Sequence, residues 1–420
     1  MNSRYSQLAI KSTAFKSIGV YTFSNFLTKA VSFASLPLFT YILSKNDFGI
    51  ISIFSSSINF LTPFIALGVL YSTSTDFFKL EKREFSSFVK TTSAIPVVMT
   101  SIGMVAFLIF FPFFRSIGFH YSFVFLVPLI AYLNFLFEQN ITLLRNNNQT
   151  RQYLILTICK VVIELSFAFT LIAVFRMDWH GRVYGIIAAF LFCGIAAWWY
   201  LIKNGLLAGS FQWKIIRQEL IFGLPALVTQ FSIIFLNSSD RYFINHYLGS
   251  DRTGVYSLAA TFASIIFIFN SALLQYIFPR LYASFAKNEY GAVVRKIFVK
   301  YILIILGCSI LLLGFTWICY NFILNPVFIS GLKYFYLLLF GYLIWAITYF
   351  FYSILLYFKQ KVKMIILAVL SVTFCSILMN ILVSRYQEAG ATWAVGGAYG
   401  FILILMVIIN YRQIRQIMVG

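Results

Sequence analysis

Apolar runs of about twenty residues, set apart by short polar breaks, recur along the whole chain. Each is long enough to cross a hydrocarbon core of ~30 Å. The pattern predicts twelve membrane helices, at about 17–43, 49–74, 91–114, 122–144, 152–175, 183–202, 220–243, 254–277, 298–322, 335–358, 363–384 and 393–411. Connections between them are short, so no loop can fold into a catalytic domain outside the membrane. The longest, around residues 203–217, sets Trp213, Ile215 and Ile216 among basic residues. That pattern fits either a short helix lying on the membrane surface or a mere spacer.

Composition sharpens this picture. Of 420 residues, 61% are hydrophobic, 20% aromatic and only 10% charged, against about a quarter charged in a soluble domain. A soluble enzyme is excluded. The net charge of +20 comes from 32 basic and 12 acidic residues, but the basic ones are scattered in small groups between apolar runs, which excludes a nucleic-acid surface and marks membrane orientation. One side holds Arg4, Lys11, Lys16, Lys79, Lys82, Arg83, Lys90, Arg145, Arg151, Lys203, Lys214, Arg217, Arg280, Lys287, Arg295, Lys296, Lys359, Lys361, Lys363, Arg412 and Arg415. The other holds only Lys45, Arg115, Arg176, Arg182, Arg241, Arg252, Lys333 and Arg385. Positive charge stays inside, so both termini are expected in the cytoplasm. The start of the chain lacks a cleavable leader pattern, and its first apolar segment is expected to be a retained helix. The five cysteines all fall in apolar runs with no metal spacing, and read as small buried hydrophobes; neither metal nor cofactor is expected.

The two halves of the chain are related. Residues 42–53 and 247–258 each join two spans, and Leu43, Gly49 and Ser52 align with Leu248, Gly254 and Ser257 at one offset of 205. Six spans in each half at that offset make a parallel repeat about an axis along the membrane normal. The expected architecture is therefore all-α, with six-helix lobes at 1–203 and 220–420 and a cytoplasmic linker at 204–219.

Pro37, Leu38, Leu43 and Phe48-Gly49 in the first copy, and Phe222-Gly223-Leu224-Pro225, Asn237-Ser238-Ser239-Asp240-Arg241-Tyr242-Phe243, Tyr247-Leu248-Gly249 and Gly254-Val255-Tyr256-Ser257-Leu258-Ala259 in the second, carry a family likeness. The chain resembles the polysaccharide-transporter (Wzx-type, O-antigen flippase) branch of the multidrug/oligosaccharidyl-lipid/polysaccharide flippases. The resemblance implies a bacterial inner-membrane protein moving an undecaprenyl-pyrophosphate-linked oligosaccharide, of O-antigen, capsule or exopolysaccharide, from the cytoplasmic to the periplasmic leaflet. Its partners would be that lipid-linked substrate, membrane lipids, a polysaccharide polymerase and assembly proteins.

Charged and polar residues inside spans mark where such a substrate would be handled, because each is costly in lipid. Lys29 lies roughly 18 Å from the nearer end of the first span, too far to snorkel. Tyr21, Asn25, Thr28, Ser32 and Ser35 line one helical face beside it. Such a face suits a water-filled cavity, with Lys29 as its cation; a structural ion pair is the alternative. In the fifth span Lys160 and Glu164, four apart, can pair on their own helix, as structural glue or as coupling groups. Glu138 in the fourth span shares a face with Asn134, Thr142 and Arg145. A partner such as Lys29 or Lys160, or a role in proton coupling, is open to it. Gln230, Asn237 and Arg241 share a face of the seventh span, where Asp240-Arg241 reads as an interfacial ion pair or gate, or as a phosphate or sugar contact. The later aromatics, Tyr334, Tyr336, Trp345, Tyr349, Tyr352 and Trp393, read as interfacial belts or packing more readily than as sugar platforms.

Two other classes share the composition. A drug exporter of the same superfamily should favour an acidic cavity, whereas the least paired central charge here is basic. A membrane glycosyl or acyl transferase would need a donor site. Against it, His120, His180 and His246 all sit near one interface and no Asp-x-Asp motif occurs.

Overall fold

A computed structural model describes residues 24, 26–116, 119–287, 290–358 and 360–419. Arg4, Lys11, Lys16, Tyr21, Asn25 and Lys359, all named above, lie outside the described residues, as does the first part of the first expected span. The described chain is helical throughout: α1 (Phe26–Ile42), α2 (Lys45–Ala66), α3 (Val69–Asp76), α4 (Lys82–Thr92), α5 (Ala94–Ile109), α6 (Phe111–Ser116), α7 (Phe123–Asn146), α8 (Thr150–Ala173), α9 (Trp179–Lys203), α10 (Trp213–Leu248), α11 (Ser250–Ala263), α12 (Ile265–Ala286), α13 (Ala292–Ile318), α14 (Leu332–Tyr357), α15 (Lys361–Ile409) and α16 (Tyr411–Val419).

Among the described residues nine helices are long and apolar enough to cross a membrane, or ten when the bent α10 is included. Several of these join labelled pieces, as α4 with α5 and α11 with α12 do. One of the nine, α15, is itself two arms. At Gln387 the backbone leaves the helical region, with φ at 57°. The Lys363 ammonium donates to the Asn410 side-chain oxygen at 2.9 Å, and the Phe374 and Phe401 rings stack 4.0 Å apart. Contacts between residues this far apart in sequence require a hairpin. Its arms match the two spans expected at 363–384 and 393–411. Proline accounts for another departure from straightness. Pro225 cannot bond the Ile221 carbonyl, and α10 bends by 43° between Ile221 and Gly223.

The chain divides into two compact units, one made of Met1–Ile42 and Phe54–Leu227, the other of Leu43–Ile53 and Val228–Gly420. In the first, α7 is the hub, with α3, α5, α8 and α9 packed on it. In the second, α14 takes that role against α11, α12, α13 and α15. These hubs are the fourth expected span of each half, and both are among the most buried spans in the chain. Their outward neighbours keep large apolar side chains bare, such as Leu303, Ile310 and Leu311 on α13, as a lipid-facing surface requires.

The repeated segments found in the sequence have a local explanation. Ser44 caps α2: its Oγ accepts from the Asp47 N–H at 3.2 Å while Asp47 Oδ2 accepts from the Ser44 N–H at 3.0 Å, a reciprocal capping box. Gly49 and Gly254, aligned by the repeat, meet each other within the second unit. A Cβ on Gly254 would sit 3.0 Å from the Gly49 nitrogen and overlap the Lys45 carbonyl oxygen; one on Gly49 would overlap that of Ser250. Only glycine permits two helix backbones to cross this closely.

The stretch expected as a linker, 204–219, lies wholly in the first unit. Ser86, Ser87 and Thr91 on α4 hold it. The Gly209, Ser210 and Gln212 N–H groups donate to their hydroxyls at 2.9, 3.1 and 3.1 Å, and Ser86 Oγ donates to the Gly205 carbonyl at 2.9 Å. From Trp213 on, the same stretch is helical and forms the first turns of α10, the short helix that was one of the two readings of Trp213 and the isoleucines, with Trp213 bare.

Candidate functional site

Lys29 stands exposed on α1 and forms no ion pair among the described residues. The hydroxyls near it are less demanding than their pattern suggested. Thr28 donates to the Ser24 carbonyl at 3.0 Å and Ser35 to that of Ser32 at 2.7 Å. Hydroxyls that bond the preceding turn leave little polar surface behind. The requirement for a wet surface on α1 therefore rests on Lys29 and not on the serines and threonines. Ser24 anchors the helix instead: its Oγ lies 2.6 Å from that of Thr157 on α8, and both residues are buried.

Lys160 and Glu164 on α8 do pair, at 3.9 Å, but the shorter partner of Glu164 is Arg182, whose Nη2 donates to its Oε1 at 2.8 Å. Arg182 reads from the sequence as a loop charge. It lies in the first turn of α9, from which its long side chain reaches α8. Aromatic rings complete the site: the Lys160 ammonium is 4.4 Å from the Phe190 ring centre and 5.3 Å from that of Phe137, and the Arg182 guanidinium is 5.0 Å from that of Phe39. The two cations thus share one carboxylate and each lies against a π-face, while the Arg182 Nη1 is buried without a hydrogen-bond partner among the described residues. Glu138, half-buried on α7, has Lys160 and Arg145 as its electrostatic neighbours. Of the partners weighed for it, Lys160 is the one the fold brings near.

In the second unit Asn237 and Arg241 fall on one face of α10, as their spacing required, and the Arg241 guanidinium donates to the Asn237 carbonyl at 3.3 Å. Asp240 departs from the expected ion pair. It is fully buried, and its carboxylate accepts from the Tyr256 hydroxyl at 2.8 Å and from the Arg241 backbone N–H at 2.9 Å. A carboxylate facing the interior of its unit needs donors there, and the Tyr256 hydroxyl on α11 supplies one. Asn237 accepts from the Tyr399 hydroxyl at 2.7 Å, so α15 fixes its orientation. Gln230 is half-buried one stretch earlier on α10.

Of the later aromatics Tyr336 and Trp393 stay exposed, while the other four pack inside the second unit. Tyr334 is buried beside Tyr256, and Trp345, Tyr349 and Tyr352 run down one face of α14, with ring centres 5.1 and 5.9 Å apart. With Ser232, Ser371 and Tyr399, the rings of Trp345, Tyr349 and Tyr352 line a cavity inside the second unit. Sequence reasoning missed this because an i, i+4, i+7 row of rings looks alike on a packed and a lipid-facing helix.

The family model described as Polysaccharide biosynthesis protein matches residues 14–285. No curated protein matches the chain in sequence. Among solved structures, that of the lipid II flippase MurJ, in an inward closed conformation, is similar over 93% of this chain and 87% of its own, with a TM-score of 0.74 at 12% identity. An inward-facing multidrug resistance MATE family transporter of the MOP superfamily is similar over 93% and 95%, with a TM-score of 0.73 at 11% identity. The MATE multidrug transporter DinF-BH follows over 97% and 96%, at 0.62 and 16%. At such identities the likeness is one of fold.

Proposed function

The chain belongs to the polysaccharide biosynthesis protein family, and we propose that it is a membrane transporter of the MOP flippase kind, not an enzyme, and that it flips a lipid-linked oligosaccharide. The cargo is an undecaprenyl-pyrophosphate-linked repeat unit of O-antigen, capsule or exopolysaccharide. It moves from the cytoplasmic to the periplasmic leaflet of a bacterial inner membrane, and both termini of the protein are cytoplasmic. The observation that carries this reading is Lys29, a cation within an apolar helix with no ion pair among the described residues.

A pyrophosphate and its sugars cannot enter hydrocarbon unaided, because an unpaired anion there costs tens of kcal/mol (an idealised Born estimate). A chamber lined by fixed polar groups substitutes for water while the polyprenyl tail stays in lipid. Lys29 attracts phosphate as a point charge without locking it in a bidentate grip, and Asn25, outside the described residues, is proposed to bind the cargo with it. Gln230, Asn237 and Arg241 offer amide and guanidinium donors for sugar hydroxyls or phosphate. Two six-span halves, 1–203 and 220–420, would expose the chamber to each leaflet in turn. The equivalent hubs α7 and α14, each within its own unit, and the two-armed α15 support a count of twelve spans, six in each half.

The test is surface polysaccharide in cells lacking this protein, complemented with wild type or with Lys29→Ala. Loss of one charge-assisted contact, about 1.5–3 kcal/mol, predicts a drop of roughly ten- to a hundredfold in flipping, with the lipid-linked unit accumulating on the inner face. Lys29→Arg should restore part of it. Normal surface glycan with altered dye resistance would favour an exporter and end this reading.

A further inference from the structure

One buried carboxylate belongs to none of the groups described so far. Glu219, in the first turns of α10, is 5% exposed, and its Oε2 is sealed from solvent with no hydrogen-bond partner among the described residues. Its surroundings follow from how α10 meets α3, inside the first unit. Gly68 and Gly223 bring the two backbones together, since a Cβ on Gly68 would lie 2.6 Å from the Gly223 Cα. Four residues on along α3 and four back along α10, Ser72 hydrogen-bonds Glu219. The helices therefore run antiparallel, and one turn further Asp76 is the next charge that Glu219 senses. Ser72 is 3% exposed and Thr73 beside it is fully buried, with its Oγ1 also lacking a partner among the described residues.

The basic residues nearby do not neutralise Glu219. Lys79 is held by Asp76 at 3.7 Å with its side chain 70% exposed. On α10 itself Lys214 and Arg217 are exposed. Two carboxylates and one ammonium leave a net single negative charge beside the Ser72 hydroxyl; the Asp76 and Lys79 side chains reach solvent, 27% and 70% exposed, while the Glu219 Oε2 is sealed from it. A buried, uncompensated carboxylate is expensive enough that it must take up a positive charge.

We propose that Glu219, Asp76 and the Ser72 hydroxyl form a binding site for a small hard monovalent cation of the sodium class. An all-oxygen donor set selects hard cations. A single net negative charge matches a monovalent ion, whereas calcium and magnesium ask for more carboxylates or a full octahedron. The site is independent of what the transporter carries, so its failure would leave the flippase reading untouched.

Thermal unfolding of the purified, detergent-solubilised full-length protein tests it, in sodium, potassium or choline chloride at equal ionic strength. Sodium should raise the unfolding midpoint of the wild type with the logarithm of its concentration, because a ligand of the folded state stabilises by mass action. Glu219→Gln should abolish that response and Ser72→Ala should weaken it, while the exposed control Asp251→Asn keeps it. Radioactive sodium should bind once per wild-type chain and not to Glu219→Gln. Equal midpoints in all three salts, or an unchanged sodium response in Glu219→Gln, would overturn the proposal and leave Glu219 as a protonated structural carboxyl. Should Glu219→Gln fail to fold, Glu219→Asp and Ser72→Ala carry the same decision: a full response in both overturns it.

Discussion

Glu164→Gln is expected to be among the most destabilising single substitutions in the first unit, well beyond Lys160→Met. Glu164 neutralises two cations at once, Arg182 at 2.8 Å and Lys160 at 3.9 Å, and all three side chains are at least four-fifths buried. Removing the shared carboxylate strands both positive charges in an apolar setting, which in comparable buried pairs costs about 3–5 kcal/mol. Removing Lys160 leaves the closer Arg182 pair intact, and the methionine keeps the contact with Phe190; about 1 kcal/mol or less is expected, as for swaps that conserve volume. The measurement is the unfolding midpoint of each purified variant. Equal midpoints would mean that Glu164 is not the hub of the cluster. The same comparison separates structure from coupling, since a coupling carboxyl would lose transport with little loss of stability.

The second large effect concerns Gly254→Ala. Alanine is the better helix former by about 1 kcal/mol, so propensity alone predicts stabilisation. The opposite is expected, because the new Cβ would overlap the Lys45 carbonyl oxygen and crowd Gly49. Backbone cannot swing aside as a side chain does, and overpacking of this kind costs about 1–3 kcal/mol or more. Folded yield and midpoint should both fall, and Gly49→Ala should do the same through the Ser250 carbonyl. By contrast Gly307→Ala, on α13 with nothing within 4 Å of the added carbon, should be neutral or slightly stabilising. A stable, well-expressed Gly254→Ala would show that the two helices do not cross at these residues.

Features set by local composition were the readable ones. Apolar runs placed the spans, and even the α15 hairpin was anticipated as two segments because Arg385, Gln387 and Glu388 interrupt the run. The repeat was visible because the equivalent helices α2 and α11 cross each other at their aligned glycines, Gly49 and Gly254. What could not be read was contact between helices. Arg182 looked like a loop residue until the fold laid the start of α9 against α8. Tyr256 looked like part of a motif until its hydroxyl met Asp240, sixteen residues earlier. Glu219 drew no attention because its neighbours Lys214 and Arg217 suggested a solvated basic stretch, while a single face of the helix turned inward. On α1 Thr28 and Ser35 bond their own turn, and pattern alone cannot tell such hydroxyls from those that seek water.

The serine clamp on residues 205–212 bears on how the molecule can be cut. A segment whose amide groups are bonded to α4 is not a loose tether, so a protease site inserted there should resist cleavage in the folded protein. It follows that a gene split for expression as two pieces should be divided after Gln212 and not at Asn204. The shorter first piece would leave Ser86, Ser87 and Thr91 without the backbone they hold, and the second would begin with an unsupported strand of eight residues.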